Sequence, residues 1–433
     1  MHVNHASPDP HPKLHVLYIA AIFPPLNAIA TVRTWNTACA LAARGWNVTV
    51  LTVPPTMWRH RNADDHPSPH RPGTALHFIH ASPPLAYLNP DLYTATPPHL
   101  LSPLYLLSVR PFNPFKTLVV HAWGFAAHRA ARALLSWRPN LILADGGPPL
   151  GCYLAAYSLA RYWKIPYVLD YRDLWSVGNP HKQTFHNYWQ RPIERKLVKH
   201  AAGIVTVSHG LARTLMSAFS LPPRKVHVIT NGYNAHRLQN VPSATFDEPA
   251  IVYAGTLYPP LRTLKPVLMA LKRLDTPTLR WQFHYYGAQG DLVRKDAAEL
   301  GMLSRVTCHG RVPWSEAVAA LKGAHCAVVV VSVNSEAATE LGVLTGKLFE
   351  LLGLGVPILM VAPRNAEARE YLFGHGEAYC ADEVTDMAEY LRSLLGRDPK
   401  RYTPPKECSW DTLGDVWDSV LRGVIEDGNY IAQ

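Results

Sequence analysis

The stretch KLHVLYIAAIFPPLNAIATVRTWNTACALAARGWNVTVLTV, residues 13–53, decides the fold class. It opens with a β-rich apolar run that stops at Pro24 and Pro25, the signature of a buried parallel strand running into a loop. Helical apolar spacing follows and is closed by Gly45, a C-cap signal. NVTVLTV is then the next strand, and strand, helix, strand with short connections is a βαβ unit.

The pattern recurs in NLILAD, LGCYLAAYSLARYW, PYVLDYRD, IERKLVKHA, GIVTVS and KVHVITNG. A polar stretch near residues 240–249 follows, and the alternation restarts with AIVYAGTL, LKPVLMALKRL, WQFHYYG and DLVRKDAAELG. RVTCHGRV, SEAVAALKGA, CAVVVVSV, GKLFELLGLG and VPILMVA continue it. Two runs of alternating strand and helix predict two doubly wound α/β domains with a hinge near residues 233–249. The expected division is a disordered lead-in over 1–13, an N-terminal domain over 14–235 and a C-terminal domain over 248–405. An amphipathic helix over 406–433 is expected to pack back on the N-terminal domain. Residues 81–125, rich in proline, tyrosine and leucine, read as an irregular insertion with short helices.

At 433 residues the chain exceeds one ordinary core, in keeping with two domains. Its 48% hydrophobic and 17% charged content is that of a folded protein. A formal charge of +10 favours acidic partners such as sugar nucleotides, phospholipid headgroups or lipid pyrophosphates. Nucleic acid is the disfavoured partner, because no basic stripe is interleaved with aromatics. The six cysteines are scattered without a Cys-x-x-Cys pair, which fits a reducing cytosol. The polar, proline-rich opening carries no signal-peptide core, and no apolar run reaches the roughly 20 residues of a membrane span. The expectation is a cytoplasmic protein, soluble or peripheral at the inner membrane face. Apolar residues around 100–115, beside Arg110 and Lys116, suit shallow membrane contact and equally suit packing into the N-terminal core.

In open α/β sheets ligands bind beyond the carboxyl ends of the strands. That rule collects Pro25, Asp145, Gly146 and the segment VLDYRDLW, residues 168–175, in the first half. In the second half it collects Gly255, Thr256, Gly287 and the loop before GKLFE. Thr345 and Gly346 precede a helix whose first turn carries Lys347, a combination suited to a diphosphate. Glu350, one turn on, is placed to accept hydrogen bonds from ribose hydroxyls; a capped helix with a surface Lys and Glu is the alternative. Arg262 and Lys265 lie at a loop and helix start where cations neutralise a leaving diphosphate. No Walker motif, no G-x-G-x-x-G after the first strand and no G-x-S-x-G elbow is present. The 22 histidines show no H-E-x-x-H spacing, so no metal is expected.

Together these motifs resemble the GT-B glycosyltransferases of family 4, over about residues 14–425. VLDYRDLW resembles the D-x-R-D-L-W form of members that build bacterial surface polysaccharides, ITNGYN their NG turn, and TGKLFELLGLGVPIL their donor segment. The resemblance implies two Rossmann-like domains facing across a cleft. It implies a retaining transfer of a hexose-type sugar from a nucleoside-diphosphate sugar to an acceptor hydroxyl, with no cofactor or metal required. A lipid-linked saccharide or glycolipid is one acceptor; a soluble small molecule, a protein or nucleic acid is another. Glu350 matches the second Glu of the family's E-x7-E motif, but the first position is Gly342, and Glu340 is displaced by two. The family's Arg after the strand glycine is here Thr256, which leaves Arg262, with Lys265 beside it, as the phosphate cation. The donor set is then Gly255, Thr256, Arg262, Lys265, Gly287, Thr345, Gly346, Lys347 and Glu350. Asp173, Arg172 and Asp170 form the catalytic set, with Pro25, Asp145, Gly146 and Trp175, a stacking face, for the acceptor. The alternatives are an Asp–Arg–Asp network that pins the loop, a non-catalytic sugar-nucleotide binder and a sugar-nucleotide epimerase.

Overall fold

The computed structural model describes residues 13–26, 28, 30–60, 76–89, 91–94, 116–147, 149–177, 185–335, 341–398 and 400–427. Its elements alternate as the sequence requires. The first half holds β1 His15–Ile19, α1 Ala30–Ala43, β2 Asn47–Thr52, β3 Leu76–His80, α2 Lys116–Leu134, β4 Leu141–Asp145 and α3 Pro149–Trp163. It continues with β5 Tyr167–Tyr171, α4 Phe185–His200, β6 Gly203–Thr206, α5 His209–Phe219, β7 Val226–Val228 and α6 Ala235–Gln239. The second half holds β8 Ala250–Ala254, α7 Lys265–Lys272, β9 Gln282–Tyr286, α8 Gly290–Glu299, β10 Val306–Gly310 and α9 Trp314–Gly323. After these come β11 Cys326–Val330, α10 Gly346–Leu354, β12 Ile358–Val361, β13 Gly376–Tyr379, α11 Val384–Leu395 and α12 Trp410–Glu426.

The strands form two sheets, ordered β3-β2-β1-β4-β5-β6-β7 and β10-β9-β8-β11-β12-β13. Pairing is parallel from β3 to β5 and throughout the second sheet. Strand order reverses between β1 and β4 and between β8 and β11, which are the switch points where such sheets bind ligands. This is the two-sheet α/β architecture of the GT-B fold. By internal contacts, one compact unit holds the described residues up to Arg172, Pro192–Val205 and those from Gly414 on. The other holds Asp173–Arg191 and Thr206–Leu413.

The central strands are buried on both faces, as their continuous apolar runs demand. Two strands and three helices, α2, α6 and α11, are not among the segments that the sequence marks. β3, LHFIH, is only five residues with two histidines, and β13, GEAY, is a short edge strand. α11 is amphipathic and lies beyond VPILMVA, the last segment of the alternation. The insertion is also shorter than expected. Residues 116–125 are not irregular but the first half of α2, which continues to Leu134; residues 95–115, with their apolar cluster, lie outside the described residues.

In the first unit, α1 turns Arg33 inward, where Nε and Nη2 grip both oxygens of Asp170 at 2.9 and 2.8 Å. Arg33 is 2% exposed and Asp170 fully buried, so neither charge has solvent to fall back on. The Arg33 guanidinium also lies 5.5 Å from the ring centre of Trp417 on α12. On the same helix, Asp418 accepts from Trp46 Nε1 at 2.6 Å and Asp415 from Arg44 at 2.8 Å.

Removing one partner of a buried pair strands the other charge, at a cost of about 3–5 kcal/mol. Arg33→Met is therefore expected to lower unfolding stability by that amount, and Arg33→Met/Asp170→Leu to recover most of it. Urea denaturation of the full chain measures both; a loss below about 1 kcal/mol in the single variant would contradict a dry ion pair.

Candidate active site

Asp145 and Asp170 are register partners at the ends of β4 and β5, and both are fully buried. Asp170 is satisfied by Arg33, and its carbonyl accepts from Tyr153 Oη at 3.0 Å. Both of its oxygens are thus taken up by Arg33 inside the fold, the loop-pinning alternative for this carboxylate. Its pinning partner is Arg33, a residue 137 positions away that the sequence reading did not single out, rather than neighbouring Arg172. Asp145 is less well served. Its Oδ2 accepts the Gly147 N–H at 3.0 Å, while Oδ1 has no hydrogen-bond partner among the described residues and lies 4.0 Å from Arg172 Nη1. Burial pushes its carboxyl up to about 6, with the Arg172 charge opposing.

Arg172 is part-buried and donates to the Ala30 carbonyl at 3.3 Å. Asp173 is exposed. Trp175 is 7% exposed, and its indole N–H donates to Gln190 at 2.5 Å. The indole is thus used for packing, which corrects its reading as a stacking face. Pro25 is part-buried in the loop after β1, and Gly146 sits so close to the Tyr153 hydroxyl that a Cβ would approach it to 2.6 Å.

At the second switch point the donor candidates converge on the start of α10. Thr345 is the N-cap residue, yet no side chain caps the helix. Its Oγ1 is buried with no hydrogen-bond partner among the described residues. Among the described residues, a Cβ on Gly346 would meet nothing within 4 Å, so none of them fills the space beside the first turn. Helix N-terminal amides so placed suit an anion. Lys347 reaches across to β8: its Nζ donates to Tyr253 Oη at 3.1 Å and lies 4.7 Å from that ring's centre. Burial lowers its ammonium to about 8, and the Arg262 charge adds to the shift. Gly255 sits at φ +132°, a conformation that residues with side chains rarely adopt, and a Cβ there would also push aside the end of the Lys347 side chain. A Cβ at Gly287 would strike Tyr285 Oη and the Gly255 carbonyl, so that glycine keeps the tips of β8 and β9 together. Thr256 gives its carbonyl to the Tyr253 hydroxyl at 3.2 Å.

Arg262 donates to the Val331 carbonyl at 2.9 Å, which ties the loop after β8 to the end of β11. Lys265 points elsewhere. It pairs with Glu299 at 2.9 Å on a half-exposed surface, which corrects its reading as a second phosphate cation. Glu350 accepts from Trp314 Nε1 at 2.7 Å, and the Arg237 guanidinium stacks 3.6 Å over that indole. Burial raises the Glu350 carboxyl, with Trp314, Arg237 and Lys347 opposing. Trp314 and Arg237 are missed by sequence reasoning because nothing local marks a tryptophan 36 residues away as the carboxylate's donor.

Gly342, at the place of the absent first Glu, has a physical reason to be glycine. Its Cβ would stand 3.0 Å from the Cα of Gly210 at the start of α5, and a Gly210 Cβ would stand 2.6 Å from the Cα of Gly342. Glu367 holds that approach together, accepting the His209 and Gly210 N–H groups at 2.7 Å each. Glu340 lies outside the described residues.

Against known proteins, the model of the glycosyl transferase 4-like domain matches residues 30–232, just under half of the chain. No curated protein matches it. Among solved structures, sucrose-phosphate synthase from Thermosynechococcus elongatus is similar at 16% identity and TM-score 0.59, covering 95% of each chain. Anabaena HepE in complex with UDP-glucose is similar at 12% identity and TM-score 0.57, over 96% of this chain and 99% of that one. A putative UDP-N-acetylglucosamine 2-epimerase from Listeria monocytogenes is similar at 12% identity and TM-score 0.55, over 98% and 99%. At these identities the likeness is one of fold.

Two outcomes follow from this geometry. Because the folded Lys347 holds its proton less tightly than an unfolded lysine, its charge costs stability below pH about 8, and that cost is relieved as pH rises to about 10.5. An anion beside it prefers the charged form. Titration should show affinity for a nucleoside diphosphate declining above pH about 8 in the wild type but not in the weaker-binding Lys347→Gln; a shared profile would remove Lys347 from the site. Gly342→Ala is expected to cost about 1–3 kcal/mol in melting experiments, and Gly342→Glu to gain no donor affinity. Tighter donor binding by Gly342→Glu at an unchanged melting point would show that the close approach to Gly210 does not exist.

Proposed function

We propose that the chain is a nucleotide-sugar-dependent glycosyltransferase. The observation that carries the reading is the start of α10 at the β8/β11 switch point: no side chain caps it, Thr345 Oγ1 is buried with no hydrogen-bond partner among the described residues, a Gly346 Cβ would meet none of them within 4 Å, and the Lys347 ammonium leaves from its first turn. A diphosphate satisfies these features at once. The ribose hydroxyls then fall to Glu350, whose carboxylate is oriented by Trp314. The match of residues 30–232 to a glycosyl transferase 4-like domain supports the same reading, as does the fold shared with a protein that binds UDP-glucose.

In the proposed reaction the acceptor oxygen bonds to the anomeric carbon while the bond from that carbon to the diphosphate oxygen breaks. The nucleoside diphosphate leaves with the electron pair, and the acceptor proton passes to its phosphate oxygen. The protein's part is positioning and charge: α10 amides and Lys347 stabilise the departing diphosphate. Arg262, already bonded to the Val331 carbonyl, adds positive field nearby. No metal is assigned a role. Retention, a hexose-type sugar and a lipid-linked saccharide acceptor complete the proposal, with Asp173, exposed at the end of the D-x-R-D-L-W segment, at the reacting sugar or acceptor hydroxyl.

A binding protein without turnover is the second reading, and Gly342 favours it. The close approach to Gly210 leaves no room for a carboxylate where the resemblance implies a sugar contact. A panel of nucleotide sugars, followed by melting point and slow donor hydrolysis, separates the readings. One donor is expected to stabilise the wild type and not Glu350→Ala, while Asp173→Ala keeps the shift and loses turnover. A shift without turnover in the wild type would make the chain a binder, isomerised donor would make it an epimerase, and no shift from any donor would overturn the site itself.

A further inference from the structure

The helices α2 and α3 and the Pro192–His200 part of α4 form one layer of the first unit. α2 packs along α3, and α3 meets α4 through Tyr157, whose ring lies 5.6 Å from that of His200 and 5.5 Å from Lys196 Nζ. Across these three helices the sequence contains a single acidic residue, Glu194, and it is fully buried, accepting from Tyr171 Oη at 2.9 Å. The outer surface is the reverse. Arg129, Arg132, Arg161, Lys164, Arg195 and Lys196 are all exposed. Ring faces stand where carboxylates would ordinarily be: Arg132 lies 4.0 Å over Tyr162, and Arg161 5.8 Å from the centre of Tyr157. Such a layer repels itself and gains most from an external negative surface.

Large apolar side chains stand among these cations. Phe125 is 74% exposed, Leu134 63% and Tyr162 54%. Phe125, Arg129 and Arg132 share one stripe of α2 by their spacing of four and three. An exposed Phe beside arginines gives a nucleic acid little to hydrogen-bond, whereas a bilayer interface takes both, the cations at the phosphates and the apolar group just beneath. No described helix is long and apolar enough to cross a membrane, so contact through this face would be peripheral.

We propose that the α2–α3–α4 face docks the protein on the anionic surface of a phospholipid bilayer. Phe125 enters the interface, and Arg129, Arg132, Arg161 and Lys164 sit at the lipid phosphates. This surface differs from the 95–115 segment, and it is independent of the donor reading, since none of its residues belongs to the α10 site.

The test sediments the full chain with vesicles of phosphatidylcholine alone and of phosphatidylcholine containing about one third phosphatidylglycerol, at physiological salt. Wild type is expected to bind only the anionic vesicles and to be released by high salt. Arg129→Glu/Arg132→Glu should weaken binding at least about thirtyfold, Phe125→Ser should weaken it less, and Lys295→Glu, an exposed control in the second unit, should not change it. Far-UV melting confirms that each variant is folded, and the donor-induced shift, where the wild type shows one, should persist in all of them. No sedimentation with anionic vesicles overturns the proposal, as does equal binding to neutral ones or wild-type binding by the double variant. Binding of a single-stranded oligonucleotide in place of vesicles, lost in the double variant, would reassign the face to nucleic acid.

Discussion

An ammonium held in poorly solvated space at the tip of a strand is the constraint around which the second sheet's loops are arranged. Lys347 leaves α10 and lies against Tyr253, where burial makes its charge costly. Its end occupies the space where a Gly255 Cβ would stand, at a φ of +132° that already favours glycine, and Gly287 packs against the Gly255 carbonyl. The Arg262 bond to Val331 ties down the neighbouring loop, and among the described residues no carboxylate is hydrogen-bonded to Lys347. A protein that needed only stability would gain little from a buried ammonium held on a phenol hydroxyl. The arrangement makes sense as a site completed by an anion.

The first unit solves the opposite problem. Two carboxylates lie side by side at the ends of β4 and β5, away from water. Arg33 neutralises one through paired hydrogen bonds, which leaves Arg172, at 4.0 Å, to hold the other only by its field. The consequence is a graded pair: Asp170 is locked in the structure, while Asp145 has one oxygen without a hydrogen-bond partner among the described residues and its carboxyl is pushed up to about 6 by burial. Of the two, Asp145 retains the capacity to respond to a ligand at the strand tips.

Much of this was legible in the sequence, because periodicity reports burial directly. Continuous apolar runs of four to six residues, each followed by a helix-period segment, gave the two parallel sheets and placed the loops that matter. The start of α10 was legible as a place for an anion, but not as uncapped: Thr345 is an ordinary capping residue, and only the structure shows that its side chain makes no cap bond. What could not be read is what depends on distant partners. Arg33 looks like any helix-borne arginine until β5 is beside it, and Lys265 looks like a phosphate ligand until Glu299 is. The absent glutamate at 342 is visible in sequence only as a departure; the backbone of Gly210, 132 positions earlier, supplies the reason. Short strands with polar content, β3 and β13, fall below what two-residue alternation can resolve.

The central claim is that the start of α10 binds the diphosphate of a nucleotide sugar. A crystal structure of the chain with a bound nucleoside diphosphate tests it most directly. The account predicts phosphate oxygens on the Gly346 and Lys347 amides and Thr345 Oγ1, Lys347 Nζ turned toward them, and the ribose on Glu350. Phosphates bound elsewhere, with Thr345 Oγ1 still unpartnered and Lys347 still on Tyr253, would contradict it.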